Sequence, residues 1–257
     1  MIIDTHVHTS ELWYEPIETL MYQMQSNKVD KAILIPYGGN YLSESYEIEC
    51  SRKYPGKFGA VVQVDAKKPD ALDTLEMLTK QGAIGVRLRP HSDPIAVWRK
   101  ANELGLVVSS HGTIDAYAKD DFKKMVEELP NLKIVLEHLG GASKTKTCPE
   151  PNDLLFYKVL ELANYPNIYI KLPGFGELLS RPKPMRNPTF DNPPPQFKMV
   201  YEAFGPKRMM WGSDFPPSAE REGYANALRY PMEKVSYFNK EAKEWIFWKT
   251  AITVFKI

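Results

Sequence analysis

The chain opens Ile2-Ile3-Asp4-Thr5-His6-Val7-His8-Thr9-Ser10, and this stretch decides between two ways of building an α/β protein. It starts as a short apolar strand and ends in polar residues, with no glycine. An open, doubly wound sheet usually places a Gly-rich phosphate loop at this point. Here two imidazoles close the strand instead. Residues two apart on a strand point the same way, so Asp4, His6 and His8 are expected to project together toward the interior.

Working outward, seven more apolar runs follow: Lys31–Pro36, Phe58–Val64, Ala83–Arg89, Leu106–Ser110, Leu132–Glu137, Asn167–Leu172 and Arg208–Ser213. Most are nearly continuous in apolar residues, as strands buried on both faces of a parallel sheet are. Helical periodicity fills the intervals, for instance Ala71–Gln81, Asp120–Leu129 and Asn152–Ala163. Eight such repeats in 257 residues predict a single (β/α)8 TIM barrel spanning 1–257, a fold of roughly 250 residues. The Pro-rich stretch 181–196 reads as a long loop before the eighth strand, a lid, a substrate-binding loop or a subunit contact. Lys240–Phe255 reads as a terminal helix whose aromatic side packs on the barrel exterior.

Composition narrows the class. Hydrophobic residues are 43% and charged residues 25%, which fits a soluble globular chain and excludes a disordered one. The 33 basic and 32 acidic side chains leave a formal charge of +1, so nothing favours nucleic acid or an anionic membrane. No run approaches the roughly 18 apolar residues of a membrane span. No signal-peptide pattern opens the chain, and Cys50 and Cys148 are too few for a disulfide framework. A cytoplasmic protein is expected, and Cys148 is assigned no chemistry.

There are only five histidines. His6 and His8 end the first strand, His111 follows the fifth, and His138 follows the sixth. The eighth ends Met210-Trp211-Gly212-Ser213-Asp214. In a TIM barrel the reactive groups gather at this C-terminal face. His6, His8, His111 and Asp214 are therefore the expected ligands of one divalent ion. Three nitrogens and one oxygen suit Zn2+, while Mn2+, iron or cobalt remain compatible. Such an ion would lower the pKa of a bound water toward about 7. Each residue also has a structural reading: His111 as a satisfied core histidine, Asp214 as a helix cap. The fifth histidine, His91, reads as a solvated loop residue.

Together these pieces resemble the amidohydrolase superfamily, in its amidohydrolase-related branch of decarboxylases and sugar and muconate lactonases. The matching segments are Asp4-Thr5-His6-Val7-His8, Gly85-Val86-Arg87-Leu88-Arg89, His111, Val135-Leu136-Glu137-His138-Leu139-Gly140-Gly141, Tyr169-Ile170-Lys171-Leu172 and Met210-Trp211-Gly212-Ser213-Asp214-Phe215-Pro216. The Arg-x-Arg, His-Leu-Gly-Gly and Gly-Ser-Asp-Phe-Pro pieces look most like the lactonases. The resemblance implies that the four expected ligands hold the metal and that His138 contacts the activated water or the substrate. It is compatible with a homodimer. Two-metal relatives carry a carboxylated lysine at strand four, and related barrel nucleases a glutamate. Neither stands here, which implies a single ion. A polymerase-and-histidinol-phosphatase-type site would need more ligands than the chain supplies.

The expected chemistry follows. Asp214 accepts the water's proton and passes it to the leaving group, and His138 shares that role or polarises a carbonyl. Asp4 orients a ligand or fills a polar niche. Arg87 and Arg89 project inward together and need anionic partners: either protein, such as Glu137 or Asp65, or a substrate carboxylate. Arg89, nearer the mouth, is the better substrate contact. Lys171 adds positive charge or an internal salt bridge, and Trp13 and Tyr14 line the mouth. The sequence thus predicts a mononuclear metal-dependent hydrolase that opens a carboxylated lactone, with a small anionic organic substrate as its partner. The alternatives are a non-oxidative decarboxylase of an aromatic or muconate-type acid on the same site, and a non-catalytic metal-binding barrel.

Overall fold

The computed structural model describes residues 1–11, 14–37, 46–142, 153–179, 190 and 192–257. Its strands are β1 (Ile3–Val7), β2 (Lys31–Leu34), β3 (Phe58–Val62), β4 (Gly85–Leu88), β5 (Val107–Ser110), β6 (Ile134–Leu136), β7 (Ile168–Leu172) and β8 (Met209–Trp211). They pair in parallel in chain order. Beyond β8 the chain returns to β1: Asp214 N donates to His6 O at 2.9 Å and His8 N to Phe215 O at 2.7 Å. The structure is thus the expected (β/α)8 barrel, and all eight apolar runs contain strands. The strands after β1 are shorter than their runs because each run extends beyond the ladder at one end or both. The expected helices appear at Ala71–Lys80, Asp120–Glu128 and Leu154–Glu161. No helix among the described residues is long and apolar enough to cross a membrane.

The barrel interior has two storeys. Ile33, Val61, Val107, Val135 and Met210 fill the lower one. Above them the inward positions turn polar, with Arg87, Ser109, Glu137 and Lys171 all buried. The chain end closes the bottom. Lys240–Glu244, a π turn at Trp245–Lys249 and Thr250–Phe255 form the terminal helix. Phe247 packs outside against Trp211, with ring centroids 6.2 Å apart. Val254 and Phe255, however, join the lower apolar storey, so the aromatic side does more than cover the exterior. Gly59 leaves the room for this. A Cβ there would stand 2.5 Å from Ile84 Cδ1 and 3.1 Å from Ile257 Cδ1.

Two expectations are corrected. In β1, Asp4 pairs with Ala32 and Val7 with Leu34, with a register shift between them. Ala32 and Leu34 are two apart and share a face, whereas Asp4 and Val7 are three apart. One extra residue therefore bulges from β1 and reverses its alternation. His6 and His8 face the interior, but Asp4 faces the helices. Its Oδ1 accepts from His6 N at 3.2 Å and Ser213 N at 2.9 Å, and Tyr224 of the outer helix Tyr224–Lys234 stands beside it. Asp4 thus pins β8 to β1 from outside. The expected loop 181–196 is also shorter at its end, because a helix begins at Pro195. Proline suits a first helical position, where no donor is needed. Residues 181–189 and 191 of that loop, Cys148 and Trp13 lie outside the described residues.

Candidate active site

His6 and His8 rise from β1 beside the β8 end, where Gly212 permits the approach. A Cβ on Gly212 would stand 2.6 Å from His6 Cβ. Asp214 follows with a left-handed backbone, φ 55°. That conformation is uncommon outside glycine and is found at over-determined functional positions. His6 Nε2 lies 3.7 Å and His8 Nε2 3.3 Å from Asp214 Oδ1. His8 Nδ1 stands 2.7 Å from Ile35 O. A carbonyl only accepts, so Nδ1 carries the hydrogen and Nε2 is free to act as a donor atom toward a cation. His6 Nε2 is buried without a hydrogen-bond partner. His6, His8 and Asp214 form one of the three triads of potential ligand atoms lying within 4.8 Å of one another among the described residues.

His111 does not join that triangle. It lines the same cavity, but its Nδ1 stands 3.0 Å from Glu137 Oε2. Arg87 Nη2 stands 3.1 Å from the same nitrogen, so the Arg87–Glu137 pair engages Nδ1 from both sides. Burial lowers the His111 pKa, against the pull of Glu137. Of the four expected ligands, then, three converge and the fourth stands aside.

Glu137, fully buried, organises the upper storey. Arg87 donates to it from Nε, at 3.2 Å to each oxygen, and from Nη2 at 2.7 Å. Ser109 Oγ donates at 2.7 Å. Burial alone would raise the Glu137 pKa, but the Arg87 charge, with His6, His111 and Lys171, holds it well below the usual range. Lys171 Nζ donates to Ser109 Oγ at 2.8 Å and stands 2.8 Å from His6 Nδ1. Burial lowers Lys171 to about 8. Arg87 is therefore spent on protein, with Glu137 as its partner. Asp65, the other candidate, accepts from Lys67 N instead.

His138 opens a run of four left-handed residues, His138, Leu139, Gly140 and Gly141, with φ between 51° and 79°. This is why the motif ends in two glycines. A Cβ on Gly141 would stand 2.6 Å from Thr113 C. The turn aims the His138 ring at His6, with centroids 4.9 Å apart. His138 Nδ1 lies 2.8 Å from Glu177 Oε1. Burial opposes its charge, but Glu177 first and then Asp214 and Glu137 raise its pKa to about 9.

The cavity over these groups measures about 470 Å³. Arg87, Arg89 and Arg221 line it against one carboxylate, Asp214. Arg89 is half-buried and has no carboxylate partner among the described residues. With its amide oxygen turned toward Arg89, Gln63 accepts from Nη1 at 3.1 Å and Nη2 at 3.2 Å. Tyr14 lies nearly parallel to the His8 ring, 15° between planes, and edge-on to Tyr37. Exposed His91 lines the rim. The sequence reading missed Tyr37, Glu177 and Arg221. Glu177 and Arg221 carry no spacing signal, since each lies in a loop beyond its strand. Arg221 Nη1 donates to Asp214 Oδ2 at 2.8 Å.

The family model for amidohydrolases matches residues 3–257, so the chain belongs to the amidohydrolase family. No curated protein matches it in sequence. Among solved structures it is similar to a probable 2-pyrone-4,6-dicarboxylic acid hydrolase from Acinetobacter baumannii with citric acid bound, at 17% identity and TM-score 0.75, covering 100% of this chain and 99% of that one. It is similar to an amidohydrolase from Burkholderia multivorans with bound zinc, at 15% identity and TM-score 0.79, with the same coverage. It is also similar to 5-carboxyvanillate decarboxylase from Sphingomonas paucimobilis, at 14% identity and TM-score 0.65, again over 100% and 99%. At these identities the likeness establishes the shared barrel.

Proposed function

We propose that this chain is a hydrolase that opens a carboxylated lactone with the help of one divalent metal ion. The observation that carries the reading is the convergence of His6 Nε2, His8 Nε2 and Asp214 Oδ1. Three potential ligand atoms gathered in a buried corner, one of them a nitrogen without a partner, suit a cation of the zinc type. His6, His8 and Asp214 would hold it, with His111, which lines the same cavity, as the expected fourth ligand. When bound, such an ion supplies Lewis acidity that lowers the pKa of water and polarises a carbonyl.

The remaining roles belong to the protein. Asp214 and His138 have pKa values pushed apart, the pattern of a base and an acid in one site. Burial would raise Asp214, but its contact with His8 and the charges of His138 and Arg221 hold it far below the usual carboxylate range. It is ionised and able to take the water's proton once Arg221 loosens its grip on Oδ2. His138, protonated at neutral pH, donates to the departing alkoxide. Arg89 clamps the substrate carboxylate through its planar fork. Lys171 fixes the plane of His6 from below, and Tyr14 forms the wall beside His8. A second reading, non-oxidative decarboxylation, draws on the same cationic His138, which is also placed to protonate a carbon.

The test is turnover of a panel of carboxylated lactones and aromatic carboxylic acids, following acid release and carbon dioxide release separately. Acid release without carbon dioxide is expected, together with loss of activity on chelation and its return with zinc. Full activity in metal-free protein would overturn the metal reading, and carbon dioxide release would favour the decarboxylase.

A further inference from the structure

Arg221 follows the short turn Pro217–Glu220 beyond β8, and its side chain returns beneath the cavity. Nη1 donates to Asp214 Oδ2 at 2.8 Å and stands 3.7 Å from Glu177 Oε2, while Nε stands 3.9 Å from Glu222 Oε2. All three carboxylates are buried, with exposures of 6%, 2% and 5% for Asp214, Glu177 and Glu222. One guanidinium thus serves three acids, yet its fit is poor. Arg221 Nε and Nη2 and Glu177 Oε2 are buried with no hydrogen-bond partner among the described residues. A guanidinium recruited for its hydrogen bonds would meet a carboxylate with its fork. This one meets them chiefly as a positive charge.

The same space contains a second triad. His138, Glu177 and Asp214 each offer a ligand atom within 4.8 Å of the others, so Asp214 belongs to two triads at once. We propose that Arg221 stands in for a second cation. It bridges Asp214 and Glu177 by charge, confines the site to one ion, and when removed opens a divalent site made of His138, Glu177 and Asp214. One nitrogen and two carboxylates form a donor set acceptable to zinc, and the buried, partnerless Oε2 of Glu177 stands 3.7 Å from Arg221 Nη1, the charge that would be replaced. The inference touches the proposed function only through Asp214, which both triads share.

The experiment counts zinc. Wild type, Arg221→Ala, Arg221→Met and Arg221→Ala/Glu177→Gln are stripped of metal, equilibrated with zinc chloride, desalted and assayed for zinc per folded chain, with folding checked by circular dichroism. The expected result is one additional equivalent in Arg221→Ala relative to wild type, lost again in the double variant. Arg221→Met keeps the apolar stem and gives the same readout should the alanine variant fail to fold. Equal zinc in wild type and both single variants would overturn the proposal, as would two equivalents in wild type. Zero in wild type with one in Arg221→Ala would sink the His6–His8–Asp214 reading and leave this one standing.

Discussion

Arg87 and Arg89 leave the same strand end toward the same side of the barrel, one storey apart in depth. Arg87 is buried and meets Glu137 with three short contacts, while Nη1 donates to Pro36 O at 2.7 Å. Among the described residues the Arg89 side chain meets the neutral amide of Gln63 and no carboxylate, and it opens on the cavity. A buried charge must be paired within the protein, whereas a charge at the mouth remains available to a ligand. The residue type and the spacing are the same for both. The difference comes from what the neighbouring strands place at each level, and that comparison separates residues that hold the site from residues left open to a ligand.

The comparison breaks most visibly at Glu137. Glu137→Ala strands the Arg87 guanidinium in the upper storey and frees Ser109 and His111 from their common acceptor. Removing one partner of a buried pair costs about 3–5 kcal/mol, which for a chain of this length lowers the melting temperature by about 10 °C. Calorimetry checks it. A shift of a degree or two would mean that Arg87 finds another anion and that depth does not set its role.

A second buried glutamate sharpens the point. Glu47, in the helix Tyr46–Lys53, is buried with no ion pair among the described residues. Burial raises its pKa from 4.5 to about 8, opposite to the fate of Glu137 beside Arg87. The folded form therefore favours the protonated carboxyl. That stability is fully present below about pH 4.5 and is lost as pH rises through about 8. Glu47→Gln, which stays neutral, should match wild type near pH 4.5 and exceed it near pH 9 by on the order of a few kcal/mol. Urea midpoints at the two pH values read the difference, and a gap that does not grow with pH would show that Glu47 titrates normally.

What the sequence disclosed and what it hid follow the same division. The strands were legible because both faces are buried, and a double-sided apolar run is hard to mistake. His6, His8 and Asp214 were legible because strand ends converge in a barrel whatever the loops do. Asp4 was misread, since an inserted residue in β1 reverses alternation without leaving any mark in the local pattern. His111 stands outside the triangle because Glu137, one strand over, draws its Nδ1, and such a pull depends on register rather than spacing. Glu177 and Arg221 sit in βα loops, where no periodicity tells which side chain folds back over the site.

At the mouth the expected effect is on binding. Arg89→Met keeps the stem and removes the fork. Losing a charged hydrogen-bond pair to a substrate carboxylate costs about 1.5–3 kcal/mol, so KM should rise roughly 10- to 100-fold with kcat little changed. Stability should move by no more than about 0.5 kcal/mol, because no buried partner is left behind. A fall in stability like that of Glu137→Ala would place Arg89 in the holding layer. An unchanged KM for every carboxylated substrate turned over would remove it from recognition.

The smallest effect belongs to a third arginine on the outer surface. Arg99 Nε donates to Glu128 Oε1 at 2.6 Å, shorter than the 2.7 Å contact of Arg87 with Glu137, yet both side chains are about half exposed, at 57% and 44%. Water solvates either charge almost as well as the partner does, and ordering two long side chains consumes most of the remaining gain. Glu128→Gln is therefore expected to leave the melting temperature and turnover unchanged within error. If distance alone set the strength of a pair, this variant would be the most damaging of the series. A melting shift near that of Glu137→Ala would mean that short contacts, not depth, decide what an arginine contributes to this barrel.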